Sequence, residues 1–120
     1  MLRPLQHGTL NLFFTHYYGV PRPYLYDAGQ DLSVETFRRN LRRMKRTYSF
    51  RTLDSVATEL SETSTQDPKA VVLTFDDGFD LEREGVLTLL DDLRIPAVFY
   101  LIGSTLDNRN LMWRNQLFAM

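Results

Sequence analysis

Apolar and polar residues recur along the chain with two different periods, and these periods predict alternating strands and helices. Three short apolar runs, bounded by turn residues, have the length of strands: 10–15, 70–75 and 97–101. Other segments repeat apolar residues every three or four positions, as one face of a helix does: 33–47, 53–60 and 81–93, with a further helix starting near 111. This order predicts an α/β fold with about three parallel strands and flanking helices.

The predicted helix boundaries rest on capping residues and on proline. Ser33 and Thr52 precede the first two helical segments and are suitable N-caps. Pro96 ends the third helix, and the segment 103–110 is predicted to be a loop. The second, shorter helix carries Leu53, Val56, Ala57 and Leu60 at the spacing of one helical face.

The composition of the chain is typical of a globular protein and excludes several kinds of site. The chain has 120 residues, 43% of them hydrophobic and 24% charged, which predicts a single globular domain over residues 1–120. It contains no cysteine, which excludes disulfides and thiolate metal sites. No apolar run has the length of a membrane span, and no secretory signal is recognisable near Met1. We therefore expect a cytoplasmic protein with no membrane span.

Basic residues cluster in the first predicted helix, at Arg38, Arg39, Arg42, Arg43, Lys45 and Arg46. One interpretation is a phosphate-contacting helix, since two short helices in succession are typical of helix-turn-helix proteins. The other is the solvated outer face of a helix that packs on a sheet. Because the net charge of the chain is near −1 and no aromatic residues interleave with the cations, we predict no nucleic-acid partner.

Two adjacent carboxylates, Asp76 and Asp77, follow the apolar run at 70–75 and precede Gly78. Parallel α/β folds build their active sites at this end of their strands. Two carboxylates held close together repel each other, and a divalent cation relieves that repulsion and can activate a water molecule. A carboxylate that does not bind the metal is then available as a general base. From these residues alone, the alternative that both aspartates cap the following helix stays open.

The residues around this pair resemble the polysaccharide deacetylase (NodB-like) family. The segment 74–79 (Thr-Phe-Asp-Asp-Gly-Phe), an amphipathic helix and the segment 95–103 (Ile-Pro-Ala-Val-Phe-Tyr-Leu-Ile-Gly) match the T-F-D-D-G motif, helix and I-P-A-T-F-F strand of that family. Upstream, 14–17 (Phe-Thr-His-Tyr) is similar to its early strand. The resemblance implies an incomplete (β/α) barrel of the NodB-like deacetylase type.

The resemblance also implies a function and residue roles. The family members are metal-dependent hydrolases that remove N-acetyl groups from carbohydrates, commonly with zinc. By position in the motif, Asp76 is the implied general base and Asp77 the implied metal ligand. His16 follows the first strand and is a further candidate ligand, although a hydrogen-bonded structural histidine is the alternative.

The chain departs from the family pattern in its histidines. The family completes the metal site with an H-x-x-x-H motif downstream of the segment 97–101, but this chain contains only His7 and His16. A catalytic zinc normally takes three protein ligands. We therefore expect a truncated domain that is poorly stable and catalytically inactive alone. A non-catalytic carbohydrate-binding or regulatory remnant is the alternative.

A phosphatase of the haloacid dehalogenase kind requires Asp-x-Asp spacing, which Asp76 and Asp77 do not have.

Overall fold

A four-stranded parallel sheet forms the centre of the chain. The computed structural model describes residues 11–15, 33–62, 67–78, 85–110, 112 and 116–117. The strands are β1 (Asn11–Thr15), β2 (Ser49–Phe50), β3 (Ala70–Phe75) and β4 (Ala97–Phe99). Strand β3 pairs with β1 along one edge and with both β2 and β4 along the other. All six residues of β3 are buried, as expected for a central parallel strand of continuous apolar sequence.

Within the described ranges, three α-helices accompany the sheet: α1 (Val34–Met44), α2 (Leu53–Glu62) and α3 (Val86–Leu93). A 3-10 helix at Gly103–Asn108 follows β4 and is kinked at Leu106 and Asp107. No helix in the described ranges combines the length and the apolarity needed to cross a bilayer.

Helix α1 begins where the sequence indicated. The Ser33 hydroxyl accepts a hydrogen bond from the Thr36 amide at 3.2 Å, which satisfies one of the free N–H groups of the first turn. Phe37 and Leu41, one turn apart, are fully buried. At the other end, the Lys45 ammonium donates to the Leu93 carbonyl and links the ends of α1 and α3.

The main core lies between one face of the sheet and helices α1 and α3. From β3, Leu73 and Phe75 project into it, and the ring of Phe37 meets that of Phe75 edge to face at 5.9 Å. The other buried members of the cluster are Leu41, Val86, Leu89, Leu90 and Ile95. Each such side chain contributes about 1.5–3 kcal/mol through removal from water, so this layer fixes the sheet against the helices.

Several predicted elements differ from the observed ones. Helix α1 ends at Met44 rather than near 47, and the segment 103–110, predicted to be a loop, contains the 3-10 helix. Helix α3 is described from Val86, directly after Gly85 with φ 75°, and its predicted start near 81 lies outside the described ranges. Strand β4 stops at Phe99 rather than at 101.

The second helix packs less extensively than its sequence suggested. Val56 is buried, but Ala57 is exposed and Leu60 is 47% exposed. The predicted helix is present, but the residues at its apolar spacing are not all buried. The two-residue strand β2 was not predicted, since its pairing with Ala70 and Val71 is a tertiary contact without a periodic signal. Most of the helix predicted from residue 111 lies outside the described residues.

Candidate active site

The carboxyl ends of three parallel strands meet at one edge of the sheet and position the carboxylate pair. Thr15 ends β1, Phe75 ends β3 and Phe99 ends β4, and the register places all three in line. Backbone pairing extends one residue beyond β3 on both sides. The Asp76 amide donates to the Thr15 carbonyl at 2.9 Å, and the Tyr100 amide donates to the Phe75 carbonyl at 2.7 Å. The backbone that carries the first carboxylate is thus held between its two neighbours.

Strand alternation determines the face on which Asp76 stands. Leu73 and Phe75 point into the helix-covered core, so the intervening Thr74 belongs to the opposite face. Asp76 follows in the same alternation, because its amide still continues the ladder with β1. Its side chain is half-buried, and so is that of Asp77. Neither carboxylate is enclosed in the core, and both are placed where solvent and a ligand have access.

The chain turns sharply directly after Asp76. Asp77 has φ 71° and Gly78 has φ 70°, so two successive residues adopt left-handed backbone conformations. Aspartate tolerates this region better than most residues, and glycine adopts it freely. Left-handed conformations of non-glycine residues cost free energy and cluster at functional sites. The turn therefore begins at the second carboxylate, while the first still belongs to the strand ladder.

Glycine at position 78 also allows close packing against the segment that leaves β4. A Cβ atom at this position would lie 3.1 Å from the Leu101 Cδ2 atom and 3.7 Å from the Leu101 Cα atom. We expect Gly78→Ala to destabilise the protein by about 1–2 kcal/mol, since it adds left-handed strain to this crowding. Urea unfolding monitored by circular dichroism measures the change.

Two matched variants separate the effect of left-handed backbone strain from the effect of crowding by the added methyl group. Gly85 has φ 75° but open space around the added methyl group, so Gly85→Ala reports the backbone strain alone. Gly103 has neither constraint, and Gly103→Ala is expected to change stability by less than about 0.5 kcal/mol. A Gly78→Ala variant as stable as Gly103→Ala would show that the turn does not have the described conformation.

Tyr100 lies beside Asp76 at the same edge, although the sequence placed it inside a strand and gave it no role. Phe99 stacks on Phe75 at 5.1 Å, which fixes Phe99 on the core side of the sheet. Tyr100, the next residue, therefore belongs to the face of Asp76. It is 51% exposed, and the following Leu101 is 64% exposed. The parallel register is the signal that identifies these neighbours, because paired strands carry their next residues to adjacent positions.

The described residues do not complete a metal site. Asp77 offers a carboxylate ligand, but the described part of the chain contains no group of three histidine, cysteine, aspartate or glutamate residues that is able to hold a metal ion. A catalytic zinc requires such a set. His16, the other predicted ligand, lies outside the described residues. The described residues therefore place Asp76 and Asp77 at one edge of the sheet and do not by themselves supply a complete ligand set.

Comparisons with known proteins agree with the motif. The family model described as Polysaccharide deacetylase matches residues 63–117, which confirms the predicted resemblance over that segment. The search among curated proteins found no significant match to the chain.

A solved structure of the Streptococcus pyogenes deacetylase PplD in complex with acetate is similar to this fold, with a TM-score of 0.65 and 22% sequence identity. The match covers 92% of this chain and 51% of that one, so the chain spans about half the length of the solved structure. The predicted fold class, parallel strands with flanking helices as in a deacetylase, is confirmed.

Proposed function

We propose that this chain, whose residues 63–117 match the polysaccharide deacetylase family, supplies the carboxylate half of the active site of a metal-dependent hydrolase that removes N-acetyl groups from carbohydrate. The observation that carries the proposal is the position of Asp76 and Asp77, which follow the central strand at the edge where parallel α/β folds bind substrates. The substrate, the metal and the residue roles are parts of the proposal.

In this proposal Asp76 is the general base. Its backbone is held by β1, and its half-buried carboxylate faces away from the apolar core. A water molecule attacks the acetamide carbonyl carbon and transfers a proton to Asp76. The carbon–nitrogen bond then breaks, and the amine departs with a proton while acetate is formed. General bases placed in this way contribute about 10²–10⁴-fold to rate.

Asp77 is proposed as a metal ligand, with zinc as the first candidate. When bound, the metal supplies Lewis-acid polarisation of the acetamide carbonyl and lowers the pKa of water. The proposed separation of roles is supported by the turn, since Asp76 still pairs with β1 whereas Asp77 and Gly78 have left-handed φ values and leave the course of β3. The remaining ligands are proposed to come from polypeptide beyond these 120 residues, because the chain itself contains only two histidines.

A direct assay tests the proposal. We expect the purified 120-residue chain, supplied with Zn²⁺ and an N-acetylglucosamine oligomer, to release no measurable acetate. If the reading frame continues beyond Met120 through an H-x-x-x-H segment, the longer polypeptide is expected to release acetate, and a chelator should abolish that activity. Acetate release by the 120-residue chain would contradict the incomplete site. A longer polypeptide that binds the oligomer without hydrolysing it would favour the carbohydrate-binding remnant.

A further inference from the structure

Helix α1 has a continuous basic face that the proposed active site does not use. Six of the fourteen basic residues of the chain lie between Arg38 and Arg46. The segment 33–46 contains one acid, Glu35, whereas the rest of the chain carries eight basic and fourteen acidic residues. The net charge of the whole chain is therefore near zero, although positive charge is concentrated in this segment and negative charge predominates elsewhere.

The basic side chains occupy one side of the helix. At 3.6 residues per turn, the four arginines within α1 fall within an arc of about 140°, and Lys45 and Arg46 follow directly beyond its end at Met44. Phe37 and Leu41 lie on the other side and are fully buried in the core. This burial fixes the rotation of α1, and Arg39, Arg42 and Arg43 are exposed while Arg38 is half-buried. We call this surface the basic face of α1.

Few of these charges are compensated. Arg38 pairs with Glu35 at 3.4 Å, Arg39 donates to the Thr36 hydroxyl, and Lys45 donates to a backbone carbonyl. For Arg42, Arg43 and Arg46, all exposed, the structure gives no ion pair within the described residues. Guanidinium groups favour bidentate contacts with phosphate and carboxylate oxygens.

The basic face lies toward the opposite end of the sheet from the carboxylate pair. Shortly after α1 ends, the chain enters β2, and Ser49 pairs with Ala70 at the amino end of β3. Asp76 follows the carboxyl end of the same strand. A ligand on this face therefore does not depend on the proposed catalytic role.

The composition of the basic face of α1 argues against two classes of anionic partner, membranes and nucleic acids. Helices that adsorb to membranes bury an apolar side in the lipid, but the apolar side of α1 is already buried in the core. Proteins that bind single-stranded nucleic acid combine cations with exposed aromatic rings, and α1 carries no aromatic residue on its basic face. The helix-turn-helix interpretation also fails, because strand β2 separates α1 from α2.

We propose that the basic face of α1 binds a linear polyphosphate, an anionic polymer of phosphate groups that carries no bases, independently of the carboxylate site. The four arginines from Arg38 to Arg43 extend over about 7.5 Å of the helix, and Lys45 and Arg46 follow just beyond its end, which allows several successive groups of one polymer to be contacted at once. Neutralising closely spaced charges releases counterions, so the affinity should depend steeply on salt.

The test uses the 120-residue chain and inorganic polyphosphate as the probe, with binding measured by fluorescence anisotropy from 50 to 200 mM salt. We expect the triple variant Arg42→Gln, Arg43→Gln, Arg46→Gln to bind at least tenfold more weakly. Its plot of log affinity against log salt should be flatter by about two, taking about 0.7 for each phosphate contact on a single strand. Replacing the same three arginines with lysine should retain most of the binding.

A matched control removes three exposed cations elsewhere, at Lys69, Arg94 and Arg109, and should leave binding within about twofold of the original. Circular dichroism of each variant checks that the helices are retained. Equal losses in both triple variants would show that only net charge matters and would overturn the proposal. Absence of polyphosphate binding, or tighter binding to anionic vesicles or to DNA, would overturn it as well.

Discussion

Replacing Asp76 with asparagine is expected to reduce acetate release by the active polypeptide by about a thousandfold. Asparagine keeps the size of the side chain and the backbone pairing with Thr15, but its amide does not accept a proton from water. A loss within the range of general-base catalysis, about 10²–10⁴-fold, should therefore appear in kcat. Metal content, measured on the purified variant, is expected to remain unchanged.

The companion variant Asp77→Ala distinguishes the proposed role of Asp77 from that of Asp76. It should lose both activity and bound metal, because in the proposed assignment Asp77 is a metal ligand and Asp76 is the base. Asp92→Asn on α3 makes the same kind of change at an exposed position away from this edge, and it should leave both measurements unaltered. If Asp76→Asn loses metal while Asp77→Ala keeps it, the assigned roles are reversed. If both variants keep full activity, neither residue belongs to the catalytic site.

Removing the ring of Phe75 is expected to have the largest effect on stability. This side chain is 1% exposed, meets Phe37 edge to face and stacks on Phe99. Substitution of a buried phenylalanine by alanine costs about 3–5 kcal/mol, which is a large part of the roughly 5–15 kcal/mol that stabilises a typical domain. Chemical unfolding of Phe75→Ala should show a much lower midpoint or no cooperative transition.

Phe14→Ala is the control for this experiment. The same residue type on the neighbouring strand β1 is 65% exposed, so its truncation should cost less than about 1 kcal/mol. Similar losses in the two variants would mean that the packing on β3 does not dominate the stability of the sheet.

The sequence predicted the centre of the fold because there the local and tertiary signals agree. The run from Ala70 to Phe75 is apolar throughout, and its complete burial on a central parallel strand is what such a run favours. Ser33 and the four-residue spacing of Phe37 and Leu41 likewise sufficed to predict α1, since a cap and an apolar stripe are both local features.

Elements that depend on distant partners could not be derived in this way. Strand β2 consists of two residues, and only its register with Ala70 and Val71 makes it a strand. The exposure of Leu60 depends on what packs against α2, which periodicity does not report. The left-handed φ of Gly85, directly before α3, is one of several conformations that glycine adopts freely.

The sequence predicted one part of the candidate site, the carboxylate pair, but not its neighbour Tyr100. The order of strand, paired aspartates and glycine was sufficient to locate the carboxylates at the edge of the sheet. The neighbouring Tyr100 required the register between β3 and β4, because its proximity to Asp76 follows from strand pairing and not from sequence distance.

The pairing of β1 with β3 has a consequence for synthesis of the chain on the ribosome. Asn11 pairs with Val71, sixty positions later, and within the described residues β1 pairs with no earlier strand. At about 5–20 residues per second, translation leaves β1 without its neighbour for about 3–12 s. During that interval the backbone N–H and C=O groups of β1 have no sheet partner, which leaves the nascent segment open to pairing with other chains, the kind of exposure that chaperones counteract.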